Sequence, residues 1–162
     1  MTKKKQSNIA PYLRYALSFS AFLLVFWTIS CQKETPKEVS NTYTIVDQMP
    51  RFPGCEQITG DYESKKSCAD NKLLEFIYNN FEYPKAAKDA GTEGVVVARF
   101  VVTSEGNIKD TSIVRSLTKE CDAEVLRIVQ LMNDQNILWT SGKQEGKTVD
   151  VVLNVPILFK LQ

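Results

Sequence analysis

Histidine is absent from the whole chain. That removes the side chain that most often moves protons near neutral pH and most often ligates metals. Histidine triads and histidine metal sites are excluded, and no cofactor or metal is expected. There is no Cys-x-x-Cys, so a dithiol redox centre of that kind is not expected either. A dominant charge sign is missing too. Residues 1–30 hold four basic residues (Lys3, Lys4, Lys5, Arg14) and no acidic one, so 16 Lys+Arg and 19 Asp+Glu remain for the rest, a net of −3. That balance leaves no electrostatic footprint for nucleic acid. Asp110, Asp122 and Glu124 fall on strand and helix positions where capping or solvation is the ordinary role, so no enzyme activity is expected. Glycine and proline are scarce, at 7 and 6 residues. Each therefore reads as punctuation.

What the chain does have begins with an address. Lys3-Lys4-Lys5 and Arg14 precede Tyr15–Ile29, an uncharged and mostly apolar run. As a helix, fifteen residues reach about 22 Å, short against a hydrocarbon core of about 30 Å and suited to a signal peptide. Thr28-Ile29-Ser30-Cys31 resembles a lipobox, which implies lipidation of Cys31. The alternative is a retained transmembrane helix that counts Tyr12 and Leu13, with Arg14 snorkelling. Either way residues 1–30 are a signal peptide or anchor, and the chain from Cys31 onward faces the periplasm or cell exterior. Residues 31–48, polar with Pro36, read as a tether.

Residues 49–79 form a lead-in and helix. Cys55 and Cys68 lie near each other in sequence and flank Gly60-Asp61. In an oxidising compartment a bridge between them is expected, with Cys121 buried near a helix start. Met49-Pro50-Arg51-Phe52-Pro53-Gly54 is extended and turn-rich. Asp70 or Asn71 is the expected cap of a helix whose buried stripe is Leu73, Leu74, Ile77 and Tyr78.

The remainder, 80–162, is a module. Pro84 opens a short helix closed by Gly91. Gly94–Thr103 is a strand apolar on both faces. Glu105-Gly106 supplies a hairpin turn into Ile108–Arg115. Cys121-Asp122 starts a helix with Val125, Ile128, Val129 and Met132 on one face. Thr148–Leu161 reads as one long strand. Pro156 inside it lacks an amide donor, which suits an edge strand and not a central one. Trp139 is read as a core anchor, and Gly142 and Gly146 as turn residues. The order predicts an α+β fold: helices packed on a small three-stranded antiparallel sheet, α-α-β-β-α-β.

These residues carry a resemblance. Tyr83-Pro-x-x-Ala87, Gly91-x-x-Gly94-x-Val96, Phe100-x-Val102, Glu105-Gly106, Trp139, Gly142-Lys143, Gly146 and the Val-Pro-Ile-x-Phe-x-Leu ending resemble the TonB C-terminal domain. The resemblance implies docking onto an outer-membrane TonB-dependent transporter, whose TonB-box peptide adds as a strand beside the last strand. That strand would be Val149, Asp150, Val151, Val152, Leu153, Asn154, Val155, Ile157 and Phe159. Tyr83, Pro84, Arg99, Lys143 and Lys147 are candidate further contacts. An inner-membrane motor of the ExbB/ExbD type would supply the pull. Ser141 stands where the family has Pro, and neither the family's anchor histidine nor its Pro-rich spacer is found. A non-energised lipoprotein adaptor or scaffold is therefore the alternative. An exposed edge also allows a homodimer.

Overall fold

The computed structural model describes residues 42–161. The anchor reading and lipidation at Cys31 lie outside the described residues. Among the described residues no helix is long and apolar enough to cross a membrane.

Helix α1, Tyr62–Asn80, starts well before its apolar stripe, because Asp61 caps it rather than Asp70 or Asn71. The Asp61 carboxylate accepts from the Ser64 backbone N–H at 2.9 Å, which satisfies one of the orphan donors of the first turn. The same bond holds the Asp61 carboxyl below its ordinary value. Helix α2, Lys85–Asp89, follows Pro84 and ends where Gly91 turns at φ +64°. The Thr92 N–H reaches back to the Ala87 carbonyl at 2.9 Å. Helix α3, Lys119–Asp134, is capped by the Thr118 hydroxyl, which accepts from the Cys121 N–H.

Strands β1 (Gly94–Val102) and β2 (Ile108–Arg115) form a hairpin. β3 (Gly142–Gln144) and β4 (Lys147–Val149) form a small separate ribbon closed by Gly146, and β5 (Val151–Phe159) returns to the main sheet. The main sheet is antiparallel with order β2-β1-β5. β1 is central, as its apolar character on both faces requires. The expected single strand Thr148–Leu161 is thus two elements. Val149 belongs to β4, opposite Gly142, and Asp150 lies between strands. The physical reason is Asp150 itself. Its carboxylate accepts from the Ser104 N–H at 2.8 Å and from Lys109 Nζ at 2.7 Å, pinning the β1–β2 turn. That contact also raises the Lys109 ammonium above its ordinary value.

The core lies between the sheet and α3. Val96, Phe100 and Val102 of β1 meet Val125, Ile128 and Met132, all nearly or fully buried. Trp139 sits among them, edge-on to Phe100 at 5.6 Å and to Phe52 at 5.4 Å. Gly142 is not a turn residue. It is a buried strand position where a Cβ would stand 2.5 Å from the Val151 side chain.

One buried charge organises the junction of α1 and α3. Glu124 accepts from the Glu82 N–H at 2.7 Å and holds Arg127 through both carboxylate oxygens, each at 2.7 Å. Arg127 in turn donates to the Asn80 carbonyl, capping the end of α1, which has no basic residue in its last turn. Glu124→Ala is expected to cost about 2 kcal/mol, since it strands the Glu82 amide and unfastens the guanidinium. Glu124→Gln should cost less, because one acceptor for Glu82 remains. Urea midpoints at unchanged m-value check this, and an unmoved midpoint for the alanine variant contradicts it.

Candidate partner-binding edge

Each β5 residue from Val151 to Phe159 pairs with β1 in unbroken register, from Val151 opposite Val102 to Phe159 opposite Gly94. In an antiparallel pair, successive residues turn their N–H and C=O groups alternately toward and away from the partner. Tyr43 identifies which residues turn away. Its carbonyl accepts from the Val152 N–H at 2.8 Å, and its N–H donates to the Asp150 carbonyl at 2.9 Å, in a parallel bridge on the side remote from β1. Val152, Asn154, Pro156 and Leu158 therefore present their backbone groups outward. The missing N–H of Pro156 falls on that outer side and costs β1 nothing.

The end of the supposed tether is thereby placed. Tyr43 covers the start of the β5 edge, and Gln48 bridges to Lys143. Tyr43 and Gln48 are docked rather than free, because their backbone satisfies groups on β5 and β3 that would otherwise face solvent. From Asn154 to Leu158 no described residue takes the outward backbone groups. The open row holds two donors, Asn154 and Leu158, and the carbonyls of Asn154, Pro156 and Leu158.

Helix α1 stands beside this row. Between them runs an apolar groove with two lobes of about 490 and 330 Å³. Both lobes are lined by Leu74, Ile77 and Pro156. Here the helix departs from its expected stripe. Ile77 is buried, but Leu74 is 61% and Tyr78 77% exposed. The i, i+1, i+4, i+5 spacing puts four apolar side chains on one face, but nothing local indicates that this face overhangs a gap. The signal available is an oversupply: α1 buries only Ala69 and Ile77.

The Cys55–Cys68 disulfide joins the lead-in to α1. It holds the segment carrying Phe52, which packs on Phe76 at 5.5 Å and on Trp139. Cys121 is a free thiol, fully buried at the start of α3.

The other candidate contacts are spread over several places. Arg99 lies directly opposite Asn154 and donates from Nε to its side-chain oxygen at 3.1 Å, on the sheet face away from α3. Lys143 and Lys147 are exposed on the β3–β4 ribbon. Tyr83 packs edge-on against Phe159 at 5.6 Å and donates its hydroxyl to the Thr92 carbonyl. Partial burial pushes its phenol up, with smaller contributions from Cys121 and Glu93. Pro84 only caps α2. No group of three or more acidic or thiol side chains capable of holding a metal occurs among the described residues.

The Gram-negative bacterial TonB protein C-terminal family matches residues 79–161, just over half of the chain. No curated protein matches it. Among solved structures, a solution NMR structure of the Helicobacter pylori TonB C-terminal domain, residues 179–285, is similar at 22% identity and a TM-score of 0.44, covering 57% of this chain and 79% of that one. A second, of residues 194–285 of the same domain, is similar at 23% identity and a TM-score of 0.41, covering 56% and 90%.

Proposed function

Because the chain belongs to the Gram-negative bacterial TonB protein C-terminal family, we propose that it docks onto outer-membrane TonB-dependent transporters and takes part in energised transport. The family carries the coarser statement: a TonB-like role in coupling energy to transport, through a protein-interaction domain of the cell envelope that is not an enzyme. The finer step is strand addition. A transporter's N-terminal TonB-box peptide pairs with the outer row of β5.

The observation that supports this is the open stretch Asn154–Leu158 on an edge strand. Two donors and three carbonyls allow about five backbone bonds, worth roughly 1 kcal/mol each net. Micromolar binding needs about 8 kcal/mol, so side chains must supply the difference.

Titrating the full-length chain in detergent micelles with a transporter N-terminal peptide tests the reading. Asn154→Pro is expected to weaken binding at least tenfold, since one of two open donors disappears and the new ring intrudes on the incoming strand. The ladder to β1 uses the alternate residues, so circular dichroism should not change. Equal affinity for wild type and variant would rule out pairing at this edge.

The lipobox-like Thr28-Ile29-Ser30-Cys31, with no histidine in the apolar run, favours a second reading: a lipid-anchored adaptor that uses the same edge without energy input. A diacylglyceryl group on Cys31 in the mass spectrum of the mature protein distinguishes it from the transducer.

A further inference from the structure

Helix α1 lies almost wholly before the matched residues 79–161, so the groove it forms with β5 is an addition to the matched domain. We propose that this groove selects the partner by one side chain: the peptide pairing with β5 places a neutral, bulky apolar side chain beneath α1. The inference rests on the reading of β5 as the docking edge.

Three observations support it. The first is position. β5 turns Leu153, Val155 and Ile157 toward the core face, opposite Phe100, Ala98 and Val96. A strand added outside β5 continues the same alternation, so every second side chain on it enters the space under α1. Tyr43 already occupies the edge at Asp150–Val152, which leaves the stretch from Asn154 to Leu158. Five residues of strand span about 17 Å, so only one or two guest side chains fall there.

The second is charge. The ionisable side chains along the groove are paired with neighbours on α1: Lys66 with Asp70 at 2.6 Å, and Glu75 with Lys72 at 2.8 Å. The groove lining therefore offers no unpaired charge of either sign, while Leu74 and Tyr78 are left exposed beside it. A charged guest would lose its hydration and gain no counter-ion.

The third is a donor without an acceptor. Trp139 lines the smaller lobe, and its indole Nε1 is the only buried side-chain polar atom among the described residues with no hydrogen-bond partner. Buried donors are normally satisfied. An apolar guest side chain carries no acceptor, so a backbone carbonyl of the incoming strand is the group that would satisfy the indole after a small shift.

The test uses isotope-labelled full-length protein in micelles and the capped peptides Thr-Val-Thr-X-Thr-Val-Thr, with X as Leu, Ala, Lys or Glu. The Leu peptide is expected to bind about tenfold more tightly than the Ala peptide, as partial burial of the larger side chain requires. Lys and Glu peptides should bind no better than Ala. The Trp139 indole proton should move downfield with the Leu peptide. Leu74→Glu, a change at an exposed position, should erase the Leu-over-Ala preference while the Asn154 and Leu158 amides still shift on binding. If those amides shift equally with all four peptides, side-chain selection is wrong and edge docking stands. If no peptide shifts them, edge docking fails and the selection falls with it. A concentration-dependent dimer that Leu74→Glu dissolves would assign the groove to a second copy and overturn the proposal.

Discussion

Gly106→Ala is expected to cost about 4 kcal/mol and to lower the melting temperature by about 15 °C. Gly106 turns the β1–β2 hairpin at φ +89°, where an L side chain is strained. A Cβ placed there would stand 2.3 Å from the Trp139 carbonyl oxygen. That neighbour is backbone, not the tip of a flexible side chain, and it is fixed by its own bond: the Trp139 N–H donates to the Gly106 carbonyl at 2.9 Å. Relieving the clash moves Trp139, which is wedged against Phe52 and Phe100. Strain and overpacking therefore add at one position. Domains of this size have about 5–15 kcal/mol in total, so the variant loses a large fraction of its stability. Thermal unfolding of the two proteins side by side checks the value. A shift below about 4 °C would mean that the turn yields and that the Trp139 backbone is not a fixed wall.

Gly146 is a useful contrast. It also has a positive φ, +76°, but nothing lies within 4 Å of an added Cβ. Backbone strain alone operates there. Local sequence could show that Glu105-Gly106 is a turn. It could not show that the turn leans on a tryptophan more than thirty positions away.

The same division runs through the molecule. Pro156 marks the last strand as an edge, because a missing donor is tolerated only where no ladder bond is due. Gly91 and the 3.6-residue spacing of Val125, Ile128, Val129 and Met132 define a helix end and a helix face by local rules, whereas the start of α3 lies at Lys119, capped by Thr118, two residues before the expected Cys121-Asp122. Local rules do not reach long-range pairing. Thr148–Leu161 is uniformly strand-like, and the break falls at Asp150, where Ser104 and Lys109 reach the carboxylate from the distant β1–β2 hairpin. Tyr43 is one polar-tether residue among many until Val152 offers it a donor. Gly142 has the look of a turn, yet its lack of a side chain serves close packing against Val151 and Pro50. The edge of the candidate site was therefore legible, and its groove was not. The groove depends on where α1 rests, and α1 is held by contacts distant in sequence: the Cys55–Cys68 disulfide, Tyr62 with Met49, Phe76 with Phe52, and Asn80 with Arg127.

Replacing Cys55 and Cys68 by Ser is expected to cost about 3 kcal/mol, from freeing a loop of about fourteen residues in the unfolded chain. The loss should be uneven. α1 buries only Ala69 and Ile77, and its far end is held through the Arg127 contact with the Asn80 carbonyl. Without the disulfide, the half of α1 nearest Cys68 keeps only buried Ala69 and the contacts of Tyr62 with Met49 and Arg51, and the segment carrying Phe52 loses its covalent link to the helix. β1 is paired on both sides and backed by α3, so it keeps its protection. Hydrogen exchange should thus accelerate across α1 long before it does across β1, the mark of local rather than global opening. Amide protection of α1 that still tracks β1 in the double variant would show that packing alone seats the helix. If the accelerated exchange is found, an oxidising compartment is what keeps a wall beside the open edge. Reduction should then abolish the preference for an apolar guest while leaving backbone pairing at Asn154 and Leu158 intact.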